Sequence, residues 1–197
     1  MSLEYQCPLC SKSLTKTQNT LRCESNHSFD FAKEGYVNLL PVQNKNSKQP
    51  GDSLEMVQAR RTFLEQGFYA FFHQALSVIT STMKGNNIMD LGGGEGFYTH
   101  AIANNTQAQV YGVDIAKSAI KYAAKRYPNC SFIVASISQA PFKDGFADIL
   151  ISVFAPLFTK GIIRPIFLLS IAYCNGVFPL LSFKFLSNPL SHRYSII

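Results

Sequence analysis

The stretch NIMDLGGGEGFYTH, residues 87–100, constrains the fold more than any other part of the chain. An aliphatic run ends in an aspartate, glycines follow at once, and the next residues can form a helix. This order is typical of a strand–turn–helix unit that binds a nucleotide, because glycines let the main chain approach a ligand closely and adopt positive φ. A dinucleotide-binding turn needs a third glycine where Phe97 stands, so the pattern favours S-adenosylmethionine over NAD. The residues of this turn that we predict to contact that cofactor are Asp90, Gly92, Gly94 and Gly96.

Two further carboxylates strengthen the prediction of a cofactor site. Asp114 ends the next predicted strand, VYGVD, where an acid typically accepts hydrogen bonds from the ribose hydroxyls of an adenosine. Glu95 places another carboxylate beside the glycines. S-adenosylmethionine has no pyrophosphate, and its amino-acid end and sulfonium suit polar and acidic neighbours. The alternative interpretation is a structural turn with an incidental aspartate.

Strands and helices alternate over residues 86–156. The segments NIMDL, QVYGVDI, CSFIVAS and FADILISVF are predicted strands, and EGFYTHAIANN and AKSAIKYAAKRY are predicted helices. Nearly continuous apolar strands that alternate with helices indicate a parallel sheet of an α/β fold. This region supplies about four strands, and it is the segment that we predict to bind S-adenosylmethionine.

Residues 43–85 precede this sheet as a linker followed by helices. The segment QNKNSKQPGDS is almost free of apolar side chains and contains Pro50-Gly51, so it is predicted to be a linker or exposed loop. Ser53 is a candidate N-cap for a helix that has Met56 or Val57, together with Phe63 and Leu64, on one face.

Residues 1–42 contain a cluster of metal-binding residue types. The spacing Cys-x2-Cys-x12-Cys-x3-His gives two close pairs of ligands, which zinc requires for a closed tetrahedral site. A closed site is structural, and it stabilises a segment too small to fold on its own apolar core. The alternative is three buried cysteines and a surface histidine. The predicted zinc ligands are Cys7, Cys10, Cys23 and His27.

Composition limits the remaining function classes. The chain has 197 residues, 47% of them hydrophobic, and a net charge of +6, which is compatible with a polyanionic partner such as RNA. The first residues, MSLEYQCPLC, lack the basic and apolar regions of a signal peptide. An odd number of cysteines in such a chain argues against a disulfide framework, and we expect a cytoplasmic protein.

Taken together, these segments resemble a known family. The Cys3His ribbon, FDFAKEGYVNLLPVQ, PGDSLEMVQARRTFL, DLGGGEGFYTH and AAKRYP are similar to the RlmA-type guanine-N1 methyltransferases of large-subunit ribosomal RNA. The resemblance covers about residues 5–156. It implies a Rossmann-like class I methyltransferase fold behind an N-terminal zinc ribbon, with S-adenosylmethionine and structural zinc as cofactors.

The resemblance also implies residue roles and partners. The four predicted zinc ligands match those of the family, Gly94 and Glu95 match its cofactor-contacting pair, and Tyr69 matches a tyrosine that touches the cofactor. Core packing is the other interpretation of Tyr69. The implied substrate is a guanine in a hairpin of large-subunit ribosomal RNA, with no DNA partner, and a homodimer is compatible with the family. The residues identify no general base. The cations assigned to RNA recognition are Lys33, Lys45, Lys48, Arg60 and Arg61.

The resemblance stops near Pro156. Residues 157–197 contain four basic residues, no acid and no helical periodicity, so we predict an aberrant hydrophobic tail and an incomplete fold, with activity in doubt. A reading-frame change in the gene is our hypothesis for this segment. The uncharged residues 165–183 approach the length of a membrane span, but Asn175, Gly176 and Pro179 interrupt them, so membrane insertion is disfavoured.

Two other functions stay open from the sequence. One is a non-catalytic zinc-ribbon fragment that binds RNA. The other is a methyltransferase of a small molecule, which is disfavoured because a zinc ribbon has no obvious use there.

Overall fold

A computed structural model describes residues 5–44 and 50–155, together with three further strands for which the backbone alone is described. The strands are β1 Thr15–Thr17, β2 Thr20–Arg22, β3 Ser28–Asp30, β4 Val37–Asn38, β5 Asn87–Leu91, β6 Gln109–Asp114, β7 Ser131–Val134, β8 Ile149–Val153, β9 Phe167–Cys174, β10 Phe178–Phe185 and β11 Tyr194–Ile196. The α-helices are α1 Leu54–Glu65, α2 Ala70–Thr82, α3 Phe97–Asn104 and α4 Lys117–Arg126. Short 3-10 helices cover Val42–Asn44 and Ile137–Gln139.

The main sheet has the order β11-β10-β9-β8-β5-β6-β7-β4. All neighbours from β4 to β9 pair in parallel, whereas β10 is antiparallel to both β9 and β11. The chain winds from β5 through β6 to β7 on one side, and then returns to place β8 on the other side of β5. Ligands of open α/β sheets bind at such a reversal, outside the carboxyl ends of the strands. The four strands predicted over residues 86–156 are confirmed.

The sheet continues beyond the segment where the resemblance stops. Residues 157–197 were predicted to form an aberrant tail, yet β9 pairs in parallel with β8 from Ile149–Phe167 to Val153–Ile171, and β10 and β11 extend the same edge. Backbone hydrogen bonds need no particular side chain, so an apolar segment rich in leucine and aromatic residues can join an open edge. Among the described residues, no helix has the length and hydropathy needed to cross a bilayer.

The N-terminal ribbon shares its core with the main sheet. The strands β1, β2 and β3 form an antiparallel sheet, and β4 adds to the edge of the main sheet beside β7. Tyr5 forms a bridge with Phe142, and their rings lie 5.1 Å apart. Leu14 and Leu21 belong to the same buried cluster as Met89 of the main sheet. The ribbon is therefore fixed against the sheet, which the sequence alone did not predict.

The predicted helices ahead of the sheet form as α1 and α2. The Ser53 side chain accepts a hydrogen bond from the Met56 amide at 3.3 Å, which confirms the predicted N-cap. The predicted apolar face is correct for Leu64 and for Val57, the second of the two alternatives Met56 and Val57, but it is wrong for Phe63, which is 43% exposed.

Candidate cofactor crevice and metal centre

The turn between β5 and α3 lies at the carboxyl edge of the sheet. The amides of Gly92 and Gly93 donate to the carbonyl of Val113 at 2.8 and 3.2 Å, which fixes the turn to β6. Gly92 has φ of +77°, and a Cβ there would lie 2.3 Å from the Cβ of Ala155. A Cβ on Gly94, at φ of +55°, would instead have the Nη1 atom of Arg60 as its nearest neighbour at 3.5 Å. Gly92 therefore permits close packing, while Gly94 keeps the crevice open.

Asp90 and Gly96 were predicted to contact the cofactor, but both lie behind the glycine turn. The Asp90 carboxylate is 1% exposed beneath the turn, where it accepts a hydrogen bond from the Thr99 hydroxyl at 2.6 Å. Burial raises the pKa of Asp90 to about 6. Gly96 begins α3 at φ of +85°, and a Cβ there would lie 2.9 Å from the Cβ of Ala123 and 3.0 Å from the Phe132 ring. Neither residue lines the crevice, so both support the turn from behind.

Asp114 lies where the sequence predicts a ribose ligand. One carboxylate oxygen accepts the Gly94 amide at 3.0 Å, and the other accepts the Ala116 amide at 2.8 Å. Burial raises the pKa of Asp114, and these two backbone hydrogen bonds oppose the shift. Each carboxylate oxygen has a second acceptor position, so Asp114 can also accept from ligand hydroxyl groups in the crevice.

Glu95 is the least satisfied carboxylate of the crevice. Its side chain is 4% exposed, and Oε2 has no hydrogen-bond partner among the described residues. Burial raises the pKa of Glu95 to about 7, while the nearby charges of Arg60, Arg126 and Arg61 oppose the shift. Buried polar atoms in folded proteins nearly always have a partner, so this oxygen is suited to accept from a ligand.

The crevice has a volume of about 490 Å³, and the segment before α1 forms part of its wall. Arg60 lines it and forms an ion pair with Asp52 at 2.5 Å. Gly51 packs so tightly against the β6–α4 turn that a Cβ there would lie 2.7 Å from the Cβ of Ala116. The predicted linker is therefore docked at this point, and Arg60 lies in the crevice although it was predicted to contact RNA.

Residues at the ends of β7 and β8 complete the lining of the crevice, and none of them was predicted from the sequence. Ser136 and Ser138 follow β7, and Phe154 follows β8 with φ of +56°, an unusual conformation for a bulky residue. The rule that parallel strands end at one edge could have identified both positions. Tyr69 does not line the crevice, but its ring packs edge-on against Phe154 with centroids 5.7 Å apart.

The other predicted RNA contacts divide into three cases. Lys33 is exposed on the ribbon. Arg61 stacks over the Tyr122 ring at 4.7 Å, so its guanidinium packs between α1 and α4. Lys45 and Lys48 lie outside the described residues.

The four predicted zinc ligands converge on one point. Their ligand atoms all lie within 4.8 Å of one another. Nδ1 of His27 is 3.4 Å from the Cys7 sulfur and 3.5 Å from the Cys23 sulfur, and the sulfurs of Cys10 and Cys23 are 3.7 Å apart. A tetrahedral zinc ion with ordinary bond lengths sets neighbouring ligand atoms about 3.5–3.8 Å apart, so the cluster fits zinc.

Tight turns hold the two ligand pairs in position. The Ser11 amide donates to the Cys7 carbonyl at 2.8 Å, and the Asn26 amide donates to the Cys23 carbonyl at 2.9 Å. Ser11 and Asn26 both have positive φ, near +60°, which lets the chain reverse directly after Cys10 and directly before His27. All four ligands come from the protein, as expected for a structural site.

Comparison with known families divides the chain into the N-terminal ribbon and the main sheet. Residues 5–48 match the family model described as RlmA, N-terminal, and residues 82–172 match the model described as a methyltransferase domain. The second match extends well past residue 156, near which the resemblance in the sequence stops.

Curated relatives match over most of this chain. It is 34% identical over 157 residues to the 23S rRNA (guanine(748)-N(1))-methyltransferase of Streptomyces fradiae, which covers 77% of this chain and 55% of that protein. It is 32% identical over 163 residues to YxjB of Bacillus subtilis, provisionally named a 23S rRNA (guanine-N1) methyltransferase, over 77% and 56% of the two chains. The chain thus spans about half the length of these relatives.

Solved structures share the fold. A Methanococcus maripaludis protein, described provisionally as an S-adenosyl-L-methionine-dependent methyltransferase, aligns with a TM-score of 0.53 and 13% identity over 64% of this chain and 67% of that one. A methyltransferase of Aquifex aeolicus aligns with a TM-score of 0.50 and 15% identity over 62% and 74%. The sheet, the glycine turn and the ribbon define a class I S-adenosylmethionine-dependent methyltransferase fold with an N-terminal zinc ribbon. The two family matches give the chain an N-terminal ribbon of the RlmA type and a methyltransferase domain, and this combination supports S-adenosylmethionine and zinc as its cofactors.

Proposed function

We propose that the crevice binds S-adenosylmethionine with its ribose hydroxyls on Asp114. The observation that carries this proposal is the position of that carboxylate, which is fixed by two backbone amides at the edge of a 490 Å³ crevice beside the glycine turn. Gly92 and Gly94 allow the main chain to lie close to the ligand. The side of the crevice beyond Asp114, with Ile115, Ile137 and the serines after β7, suits an adenine ring.

The acceptor in this proposal is N1 of a guanine in large-subunit ribosomal RNA. Two relatives carry names for this reaction, and the ribbon that accompanies it in the family packs directly against the sheet. Targets of RNA enzymes lie preferentially in hairpins and loops, where a base can be unstacked and turned into a pocket. A hairpin is therefore the proposed substrate. A homodimer and a cytoplasmic location stay predictions.

The chemistry that we propose is a direct displacement, in which guanine N1 would give up its proton and take the methyl group, with the thioether S-adenosylhomocysteine as the leaving group. When bound, S-adenosylmethionine supplies an electrophilic methyl group on its sulfonium. The protein contributes position and exclusion of water, which account for much of the barrier reduction in such reactions. Phe97, Tyr98 and Phe154 form an apolar wall at the β8 end of the crevice, where an incoming base would be shielded from water.

The test is transfer of labelled methyl from S-adenosylmethionine to unmodified ribosomal RNA by the zinc-loaded 197-residue chain. We expect label in guanine and a new primer-extension stop, because an N1 methyl group blocks base pairing. Asp114→Ala should abolish the label, while Lys33→Ala, on the exposed ribbon surface, should retain cofactor binding. Binding of RNA without any binding of cofactor would instead support a non-catalytic zinc-ribbon module. Label transferred only to small molecules would contradict the RNA substrate.

A further inference from the structure

The described part of the chain has three exposed phenylalanines, and all three lie where α1 meets α2. Phe63, Phe68 and Phe71 are 43%, 59% and 66% exposed. Single apolar side chains on a protein surface are common, but a group of large rings side by side is typical of a binding surface. We call these three residues the aromatic surface.

The end of α1 sets the position of the first two rings. The Gly67 amide donates to the Leu64 carbonyl at 3.1 Å, and Gly67 has φ of +81°, so the helix ends in a left-handed cap. Phe68 then folds back on Phe63, with centroids 5.0 Å apart and ring planes at 20° to each other. An apolar contact between these two positions commonly accompanies such a cap. The contact leaves more than half of Phe68 exposed, so part of its ring is accessible to a ligand.

Tyr69 joins the aromatic surface to the cofactor crevice. Its ring centroid lies 5.6 Å from that of Phe63 and 6.1 Å from that of Phe71. It also lies 5.7 Å from the centroid of Phe154, which lines the crevice. A continuous series of rings therefore leads from solvent to the crevice wall. A substrate that places a base against Phe154 brings its neighbouring groups close to this surface.

The rings and the charges of this region match an unpaired nucleic-acid strand. Unpaired bases stack on aromatic side chains whatever their sequence, because every base has a flat face. Residues 56–84 contain the cations Arg60, Arg61 and Lys84 and a single acid, Glu65. That acid is paired, since Nη1 of Arg126 lies 2.6 Å from its Oε1 atom. The region therefore offers rings for the bases and no unpaired carboxylate that would repel the phosphates.

We propose that the aromatic surface stacks the unpaired bases next to the target guanine, while the guanine itself enters the crevice at Phe154. This inference rests on the proposed function, since it takes a loop of ribosomal RNA as the substrate. Phe68 and Phe71 contact the bases, and Phe63 supports Phe68 through their ring contact.

The affinity of the zinc-loaded chain for two RNA hairpins, measured with S-adenosylhomocysteine present, tests the aromatic surface. Both hairpins have the same stem and a loop with a single guanine, and the second has abasic sites on both sides of that guanine. Phe68→Ala and Phe71→Ala should each weaken binding of the intact hairpin by about fivefold or more, because a base loses its stacking partner. The same variants should bind the abasic hairpin within about twofold of the unaltered chain, because the bases that would stack are absent.

Control variants separate stacking from general apolar contact. Phe68→Leu keeps an apolar side chain without a ring and should bind as weakly as Phe68→Ala, whereas Phe68→Trp should retain the affinity. Val78→Ala removes a 60% exposed apolar side chain of α2 that has no ring, and it should change neither affinity. The dependence of affinity on salt should be the same in Phe68→Ala as in the unaltered chain, because stacking releases no counterions. Urea unfolding verifies that each variant is folded.

The outcomes distinguish failure of the aromatic surface from failure of the proposed function. Unchanged affinity of both phenylalanine variants for the intact hairpin, or equal weakening of both hairpins, would overturn the stacking proposal alone. A dimer that Phe68→Ala converts to a monomer with unchanged RNA affinity would overturn it too, and would make the surface an interface between copies of the chain. Failure of the unaltered chain to bind either hairpin would overturn the RNA substrate as well.

Discussion

Replacement of Gly96 by alanine separates helix packing from cofactor contact. Gly96 has φ of +85°, and an added Cβ would lie 2.9 Å from the Cβ of Ala123 and 3.0 Å from the rings of Phe132 and Tyr127. The left-handed conformation costs an L-residue about 1–2 kcal/mol. Overpacking of a rigid core adds about 1–3 kcal/mol. The free energy of unfolding should therefore fall by about 2–5 kcal/mol in Gly96→Ala.

Gly145 provides a matched control for the backbone contribution. Its φ is +76°, and a Cβ there would meet nothing within 4 Å. Gly145→Ala should consequently lose only the conformational part, about 1–2 kcal/mol. Urea unfolding of both zinc-loaded variants measures the two losses from the shift of the midpoint at constant slope. The packing contribution is the difference between them, about 1–3 kcal/mol.

The same two variants also decide the role of Gly96 at the cofactor. If the glycine only permits packing behind the turn, folded Gly96→Ala should bind S-adenosylhomocysteine within about twofold of the unaltered chain, because the residue does not line the crevice. Equal losses of stability in Gly96→Ala and Gly145→Ala would refute the packing argument. A large loss of affinity without a loss of stability would restore the cofactor contact that the sequence predicts.

Three further predictions concern the metal, the ribose ligand and the buried acid. Removal of zinc by a chelator, or Cys10→Ser, should lower the midpoint of urea unfolding, and one zinc ion per chain should be released; an unchanged midpoint would refute a structural metal. Asp114→Asn should weaken S-adenosylhomocysteine by about tenfold or more in calorimetry, since one charged acceptor is lost, and unchanged affinity would exclude the ribose contact. Burial raises the pKa of Asp90 from 3.8 to about 6, so the fold favours the protonated acid. The protonated carboxyl stabilises the fold fully below pH 4, and this stabilisation is lost as the pH rises through 6. The free energy of unfolding of Asp90→Asn should therefore exceed that of the unaltered chain by up to about 3 kcal/mol at pH 8 and by nothing at pH 4. Equal unfolding free energies at both pH values would contradict this.

Local patterns predicted the metal ligands and the central strands well. The four zinc ligands are close in sequence, so their spacing alone predicts that they can converge on one metal ion. Their ligand atoms all lie within 4.8 Å of one another. The strands β5 to β8 follow from continuous apolar runs that only a buried sheet can accommodate. Asp114 is the last residue of β6, as the sequence predicts, while its role as a ribose ligand stays a proposal.

Contacts between distant segments were harder to predict. Arg60 reaches the crevice because Gly51 docks on Ala116, a contact across 65 positions that leaves no periodic pattern in the sequence. Asp90 and Gly96 have the residue types of a cofactor site, but their side chain and Cβ position face the helices behind the turn. The extension of the sheet by β9 depends on backbone pairing, which the pattern of side chains hardly predicts.

Titration of the zinc-loaded chain with S-adenosylhomocysteine and, in parallel, with NAD tests the central claim most directly. The crevice beside the glycine turn should bind S-adenosylhomocysteine, prefer it over NAD, and lose it in Asp114→Ala. Preference for NAD, or binding of S-adenosylhomocysteine that is indifferent to Asp114, would contradict the account.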